Sequence, residues 1–492
     1  MRYLVTGKEM KLLDQNTSEH FHVPTGVLME QAAMAFVQEL FTIGQFNRVL
    51  IAVGNGNNGA DGISIARLLN QMGVEAGVYY VSDKAGTELF QLQKQIYEEY
   101  AYTVIDTIDT TDEYDIIVDA IFGIGLSREV GGVYAEAIKT LNSMKGVKVA
   151  VDISSGISAD TGEVLGLAFK AEHTITFSFE KVGQIIWPGS EYSGEIHIKQ
   201  MGITADSFLG RKPAYVTLEH KDLVNLPSRT AHSNKGTYGK LLIIGGDVNM
   251  AGAVCFSAKA AYRFGVGLVK VMAHKDNRII IQSTIPEAVF LPIEDDYRDL
   301  LLTNLEWADA VVAGPGMGTG STSLDILSCL LENATCPVIL DADALNLLAS
   351  FPQLLDKNRT DMVITPHLGE MARLTGDSVA YIQEHIRECA RDLAQRYELV
   401  CVLKDFHTII ASPYGETYIN LSGNNGMATA GSGDVLSGII GTLLAQKMKP
   451  LEAAAYGVYV HGLAGDASAE KTGRRGLMAS DIIDAIKLIQ EM

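Results

Sequence analysis

Nowhere in the chain does an uncharged apolar run approach the ~18–20 residues needed to span a membrane. The opening stretch MRYLVTGKEMKLLDQ also lacks an apolar segment long enough for a secretory signal. A soluble, cytoplasmic protein with no membrane partner is expected. Cysteine is scarce. Cys255, Cys329, Cys336, Cys389 and Cys401 are odd in number, show no CxxC spacing and all fall in the second half, so they read as reduced core thiols. Positive charge is short as well: 39 Lys and Arg against 59 Asp and Glu leave a formal charge of −20. With no concentrated basic patch, that surface repels polyanions and excludes a nucleic-acid partner. There is no internal repeat and no low-complexity tract.

What is present is globular composition, 47% hydrophobic and 20% charged, in a chain of 492 residues. Single cores stop growing near ~250–300 residues, so two domains are expected. In the first half a helical pattern from Val27 to Leu40 precedes apolar runs at 48–53, 76–82, 115–122, 147–153 and 173–179. Short apolar runs, each followed by Gly and then a helical pattern, predict βαβ units and a doubly wound, mostly parallel sheet. Periodicity fades over 203–235, which reads as a connector with the seam near 215–225. Alternation restarts at 240–246, 268–273, 309–316, 337–346, 362–370 and 399–404, predicting a second and larger α/β domain.

The first domain's chemistry centres on Gly54-Asn55-Gly56-Asn57-Asn58-Gly59-Ala60-Asp61-Gly62, between an apolar run and a helical one. Glycines there permit close backbone approach, and the helix start aims free N–H groups at a ligand. The plain alternative is a ligand-free βα turn; two asparagines and an aspartate argue against it by supplying side-chain hydrogen bonds that such a turn does not require. Asp119, Asp152 and Ser155 stand at predicted strand ends, where ligands of open α/β sheets bind, so they and Asn58 can converge on one crevice. Taken singly, a strand-end Asp is more often an N-cap.

In the second domain the strongest signal is Asn424-Asn425-Gly426-Met427-Ala428-Thr429-Ala430-Gly431-Ser432-Gly433-Asp434 before the apolar helical stretch 435–444. Small residues let the backbone wrap an anion, and the helix start presents unpaired N–H groups. Asp434 is either a dipole partner or a base; a carboxylate beside phosphate is costly unless it takes a proton or meets a cation, which favours the base.

The run GNGNNGADG, with DAIFGIGLSR and VDISSG downstream, resembles the NAD(P)H-hydrate epimerase (YjeF N-terminal) domain, over residues 1–215. The resemblance implies a Rossmann-like fold. Substrate would be held by Asn57, Asn58, Gly59, Ala60 and Asp61, by Gly123, Ile124, Gly125, Leu126, Ser127, Arg128 and Glu129, and by Asp152. It also implies a potassium ion on Asn58, Asp119 and Ser155. Epimerisation needs proton transfer, with Asp152 as first candidate and Lys181 as second; by frequency alone Lys181 reads as a solvated surface lysine. The family more often has Gly where Ala60 stands.

The Gly-Ser-Gly-Asp turn resembles that of ribokinase-like proteins. With Gly245-Gly246, Ala251-Gly252-Ala253, GPGMG at 314–318, DADALN at 341–346, TPHLGE at 365–370 and KDFHT at 404–408, residues 220–492 resemble the ADP-dependent NAD(P)H-hydrate dehydratase (YjeF C-terminal) domain. That implies a ribokinase-like α/β fold. Ala253, Gly316, His367 and Asp434 would contact the hydrated cofactor, and Lys404, Asp405, Phe406, His407, Thr408 and Gly433 the nucleotide. His367 also reads as a helix cap. The family often has Ser and an aromatic at Asp247 and Met250, and Gly at Asp405.

The activity so implied epimerises R and S NAD(P)HX and dehydrates the S form to NAD(P)H, with ADP going to AMP and phosphate and magnesium beside the nucleotide. Partners are then small molecules, NADHX, NADPHX and ADP, and a homo-oligomer is expected. Two alternatives stay open: a small-molecule kinase fused to a dinucleotide-binding regulatory domain, and a first domain that senses dinucleotide without turnover, for which Ala60 is the only support.

Overall fold

The computed structural model describes residues 1–358 and 360–490, so 491–492 of the second expected domain lie outside it. The chain forms two compact bodies, one of Tyr3–Tyr215 and one from Val216 onward that includes Met1–Arg2.

In the first body seven strands pair in parallel, in the order Val104–Ile105, Glu75–Tyr80, Arg48–Val53, Glu113–Ala120, Lys145–Val151, His173–Phe177 and Glu195–Lys199. The central strand Arg48–Val53 is buried from its second residue on, which is why it reads as a continuous apolar run. Helices Thr25–Ile43, Asn57–Gln71 and Glu88–Glu99 supply the core of one face of the sheet, and Val133–Ser143 that of the other. Chain order runs outward in both directions from Arg48–Val53, so a topological switch point lies between it and Glu113–Ala120.

Among the elements of this body that are absent from the hydrophobic pattern, two bear on the sites below. One is the edge strand Glu195–Lys199. The other is helix Gly7–Glu19, whose Thr6 side chain caps the Glu9 N–H while Glu9 caps the Thr6 N–H in return.

The second body carries parallel strands in the order Val289–Ile293, Leu268–His274, Lys240–Ile244, Ala310–Ala313, Val338–Leu340, Met362–Ile364 and Val400–Leu403. An antiparallel pair, Ile409–Ala411 and Thr417–Ile419, extends the far side. The apolar run at 337–346 is strand only over Val338–Leu340; Ala342, at φ 48 and ψ −116, turns the chain into helix Asp343–Ser350. Helix Ser432–Ala445 packs on Ala251–Phe264 with glycine at the crossing: a methyl group on Gly438 would stand 2.2 Å from the Ser257 carbonyl oxygen. The expected connector is less irregular than its sequence pattern, holding 3-10 turns at Ala205–Phe208, His220–Asn225 and Lys235–Tyr238.

Candidate active sites

A cavity of about 750 Å³ opens at the switch point of the first body. Asn57, Asn58, Asp61, Gly123, Ile124, Gly125, Leu126, Ser127, Arg128 and Asp152 all line it. Gly59, Ala60 and Glu129 do not, contrary to expectation. Helical geometry gives the reason: positions 57, 58 and 61 share the open face of Asn57–Gln71, which turns 59 and 60 onto the sheet. Gly59 passes so close to the preceding turn that a β-carbon would lie 1.8 Å from the Gly54 carbonyl oxygen. The Ala60 methyl sits in the core, so its departure from the family pattern does not touch the cavity. Glu129 is exposed past the loop, where the next residue, Val130, bonds back to Leu165.

Lys181 is not a surface lysine. Its side chain is 0% exposed, and its ammonium donates to Asp152 Oδ1, to Thr176 Oγ1 at 2.9 Å and to the Phe177 carbonyl at 3.3 Å. Asp152 sits at φ 67, in the left-handed region, and its Oδ1 also accepts the Phe177 N–H at 3.1 Å. The Gln184 amide donates to the Asp152 carbonyl at 2.6 Å. Such strain at a strand end persists only where surrounding bonds hold it.

Burial and the nearby carboxylates of Asp152 and Asp14 push the Asp61 carboxyl well above the usual range. Asp14 is itself raised by burial. It comes from helix Gly7–Glu19 and lines the cavity, a site residue that the sequence reading missed although the Thr6–Glu9 capping-box spacing marked its helix.

Asp119 and Ser155 lie beside the cavity floor. Asp119 is fully buried; its Oδ1 accepts the Ser155 hydroxyl at 2.6 Å and its Oδ2 the Ser155 N–H at 2.7 Å. Burial raises the Asp119 carboxyl to about 6, against the hydrogen bonds that lower it. The Ser155 hydroxyl accepts the Phe122 N–H at 2.7 Å, and a β-carbon on the adjoining Gly123 would sit 3.2 Å from Asn58 Cβ. Asn58 Nδ2 is buried without a hydrogen-bond partner among the described residues. Exchanging that amide's O and N turns an orphan donor into another oxygen ligand. The donor set of carboxylate, hydroxyl and amide oxygen therefore fits a hard cation.

In the second body the helix Ser432–Ala445 starts after Gly431, at φ 89, with no side chain capping it. The Ser432 N–H donates to the Thr429 carbonyl at 3.3 Å and the Val435 N–H to the Gly431 carbonyl at 3.1 Å, which leaves those of Gly433 and Asp434 to face outward. A β-carbon on Gly433 would lie 3.3 Å from Lys404 Nζ and 3.8 Å from Asp341 Oδ2. Lys404 donates to Asp341 Oδ1 at 3.0 Å, and the Ser437 hydroxyl to Asp341 Oδ2 at 2.6 Å. Burial works against the Asp341 carboxylate, but Lys404 and Ser437 outweigh it and hold its pKa below the usual value. Asp434, half-buried, goes the other way: desolvation first and then the Asp341 charge push it up to about 7. Two neighbouring carboxylates are thereby driven apart in pKa, the pattern that separates a base from a fixed charge. Asp341 was quoted only as part of a motif, and Ser437 had no signal beyond its place one turn after Gly433.

Gly316, at φ 55, and Ala253 face each other, a β-carbon on the first being 3.2 Å from that of the second. Asp247 closes the same turn, its N–H donating to the Gly316 carbonyl at 2.6 Å. His367 is a helix cap: its Nδ1 accepts the N–H groups of Gly369 at 2.9 Å and Glu370 at 3.2 Å. That fixes the ring proton on Nε2, and burial and the Lys404 charge hold its pKa low, so His367 is a neutral donor. Residues 405–408 form the turn between Val400–Leu403 and Ile409–Ala411, where the Phe406 ring is 61% exposed and stands 4.2 Å from the His407 ring. Asp466 braces the approach to the glycine turn by accepting the Gly423 N–H at 2.8 Å and the Asn424 amide at 2.9 Å.

Among the described residues no helix is long and apolar enough to cross a membrane. Residues 25–183 match the family described as YjeF-related protein N-terminus, and 241–488 that described as NAD(P)H-hydrate dehydratase. A bifunctional NAD(P)H-hydrate repair enzyme of Moorella thermoacetica is 37% identical over 99% of this chain and 96% of its own. The enzyme of the same name from Escherichia coli is 40% identical over 89% of this chain and 84% of its own. Among solved structures, a ribokinase-like superfamily protein of Enterococcus faecalis covers 57% of this chain and 97% of its own, at TM-score 0.52 and 29% identity. An ADP/ATP-dependent NAD(P)H-hydrate dehydratase of Bacillus subtilis, co-crystallised with ATP and Mg2+, covers 56% and 97%, at 0.50 and 28%.

Proposed function

The chain belongs to the family of bifunctional NAD(P)H-hydrate repair enzymes, and from that footing we propose how its residues divide the work. The protein interconverts the R and S forms of NAD(P)HX and dehydrates the S form to NAD(P)H while ADP becomes AMP and phosphate. The kinase alternative gives way to this membership.

Dehydration rests on Asp434. It takes the proton of the ring hydroxyl, and that oxygen attacks the terminal phosphorus of ADP. The bond to AMP breaks as the new P–O bond forms, so a poor leaving group becomes phosphate; its departure and loss of the neighbouring ring proton restore the double bond. Lys404, paired with Asp341, faces the phosphate, and the uncapped N–H groups after Gly431 receive its charge. His367 donates from Nε2 to the hydrated cofactor, which lies across Ala253 and Gly316. Residues 404–408 hold the nucleotide, with the exposed Phe406 ring as a stacking surface. Magnesium, when bound, neutralises charge between the phosphates.

The carrying observation is that Asp434, at the start of the helix after the glycine turn, is raised to about 7, where it can take and return a proton near neutral pH. Asp434→Asn is expected to keep nucleotide affinity and to lose turnover by about 10²–10⁴-fold, the usual contribution of a general base. Near-wild-type recovery of NADH absorbance from the S hydrate in that variant would remove Asp434 from the role.

In the first body Asp152, held by Lys181, accepts the substrate proton, and Asp61, kept protonated by burial and its acidic neighbours, returns one. A potassium ion on Asn58, Asp119 and Ser155 would anchor the Phe122–Gly123 turn and the substrate loop beside it. Replacing K+ by the larger tetramethylammonium should then slow epimerisation and leave dehydration alone. Self-association is part of the same reading: exposed Val27, Met34 and Phe41 recur every seven residues along Thr25–Ile43, one apolar stripe suited to a second copy. A monomer at all concentrations in sedimentation velocity would end that reading. A cytoplasmic location belongs to the same proposal, and cell fractionation tests it.

A further inference from the structure

The first body holds a second grouping of metal-ligating side chains, distinct from the cavity. Parallel pairing sets His173 opposite Glu195 and Ile175 opposite His197, so His173, Glu195 and His197 share one face of the sheet. His173 Nδ1 lies 3.1 Å from His197 Nε2 and 3.7 Å from Glu195 Oε2, and the three ligand atoms all fall within 4.8 Å of one another. A tetrahedral ion with bonds of ~2.0–2.1 Å spaces its ligands about 3.3–3.4 Å apart, between those two separations.

A second observation concerns the far side of His197. Its Nδ1 lies 2.8 Å from Glu39 Oε1 on helix Thr25–Ile43, and the other Glu39 oxygen is held by Lys199. A carboxylate there fixes the ring proton on Nδ1 and aims the Nε2 lone pair at His173 and Glu195. This is the arrangement by which outer carboxylates orient metal-bound histidines. Both histidines are half-buried, whereas the Glu195 side chain is 71% exposed on the edge strand, leaving a way in for an ion.

We propose that His173 Nδ1, His197 Nε2 and the Glu195 carboxylate bind one zinc-class divalent ion, with Glu39 orienting His197. Two imidazoles and a carboxylate suit that class better than magnesium or calcium, which take oxygen ligands. Ligation needs only that the His173 ring proton stand on Nε2. The ion's role is to clasp the edge strand Glu195–Lys199 to its neighbour. His173 opens the strand whose other end, Phe177, lines the cavity, a separation of about 13 Å at ~3.3 Å per residue. It therefore takes no part in epimerisation.

The test uses the full chain, stripped with chelator and titrated with ZnCl2 by calorimetry. One tight equivalent is expected per chain. It should disappear in His173→Ala and His197→Ala and weaken by about 10–100-fold in Glu39→Gln, with NADH recovery from the S hydrate unchanged in all three. On the wild-type protein, zinc K-edge absorption at one equivalent should give a nitrogen and oxygen shell near ~2.0 Å with imidazole scattering. Absence of a stoichiometric site, a sulfur shell near ~2.3 Å, or an equivalent that survives both histidine substitutions would each overturn the assignment.

Discussion

Asp434 and Asp341 are neighbouring carboxylates whose surroundings set them apart. Asp341 accepts hydrogen bonds from an ammonium and a hydroxyl, which favour its ionised form; Asp434 is half-buried and feels that negative charge. As the base, Asp434 must be deprotonated, so dehydratase kcat/KM should rise with pH through about 7 and level off above it. The same shift enters stability. With the folded pKa above the unfolded value near 3.8, the unfolded chain gives up this proton first as pH rises. Stability is therefore lost between pH 4 and 7, where the unfolded chain ionises and the folded carboxyl keeps its proton. Asp434→Asn should accordingly have a higher Tm than the wild type at pH 8, with the gap closing toward pH 5. A gap independent of pH in calorimetric scans would mean that the gain comes from something other than the charge.

At the scale of elements, the helix that opens each site is brought against its neighbour through a glycine, without an intervening side chain. Helix Asn57–Gln71 comes down on the Gly54 turn through Gly59, and helix Ser432–Ala445 lies on Ala251–Phe264 through Gly438. Gly438→Ala would drive a methyl group into the Ser257 carbonyl and push the helices apart, a strain of about 1–3 kcal/mol. Because Asp434 is one turn away, dehydration should fall by more than the loss of folded protein explains, with epimerisation preserved. Equal loss of both activities in a refolding-corrected assay would count against this account. Legibility from sequence differed between elements. The central strands could be read because both faces are buried and the runs are unbroken. The edge strand Glu195–Lys199 could not, since EIHIK alternates polar and apolar side chains over only five residues.

For the whole molecule, the consequence of two activities in one chain is that neither epimer of the hydrate is stranded. A chain with Asp152→Asn should dehydrate the S form present in a mixed R and S sample at the wild-type rate and then stall, leaving the R fraction to spontaneous interconversion. Full recovery of NADH at the wild-type rate would show that Asp152 is dispensable. The formal charge of −20 fits a small-molecule enzyme, and helix N–H groups can receive a phosphate without a basic surface.

The order of the strands' apolar runs, the two glycine turns GNGNNGADG and GSGD, and the division into two α/β halves are local properties of the chain. Hydrophobic period and turn chemistry act over a few residues, and sequence by itself determined them. Which side chains meet is a different matter. Asp14 joins Asp61 and Asp152 around one cavity, Lys181 is sealed under Asp152, Lys404 and Ser437 converge on Asp341, and His173 and Glu39 both meet His197. Those encounters depend on sheet order, parallel register and the face that each helix turns inward. All three are fixed by packing between segments far apart in the chain, so only the tertiary structure decided them.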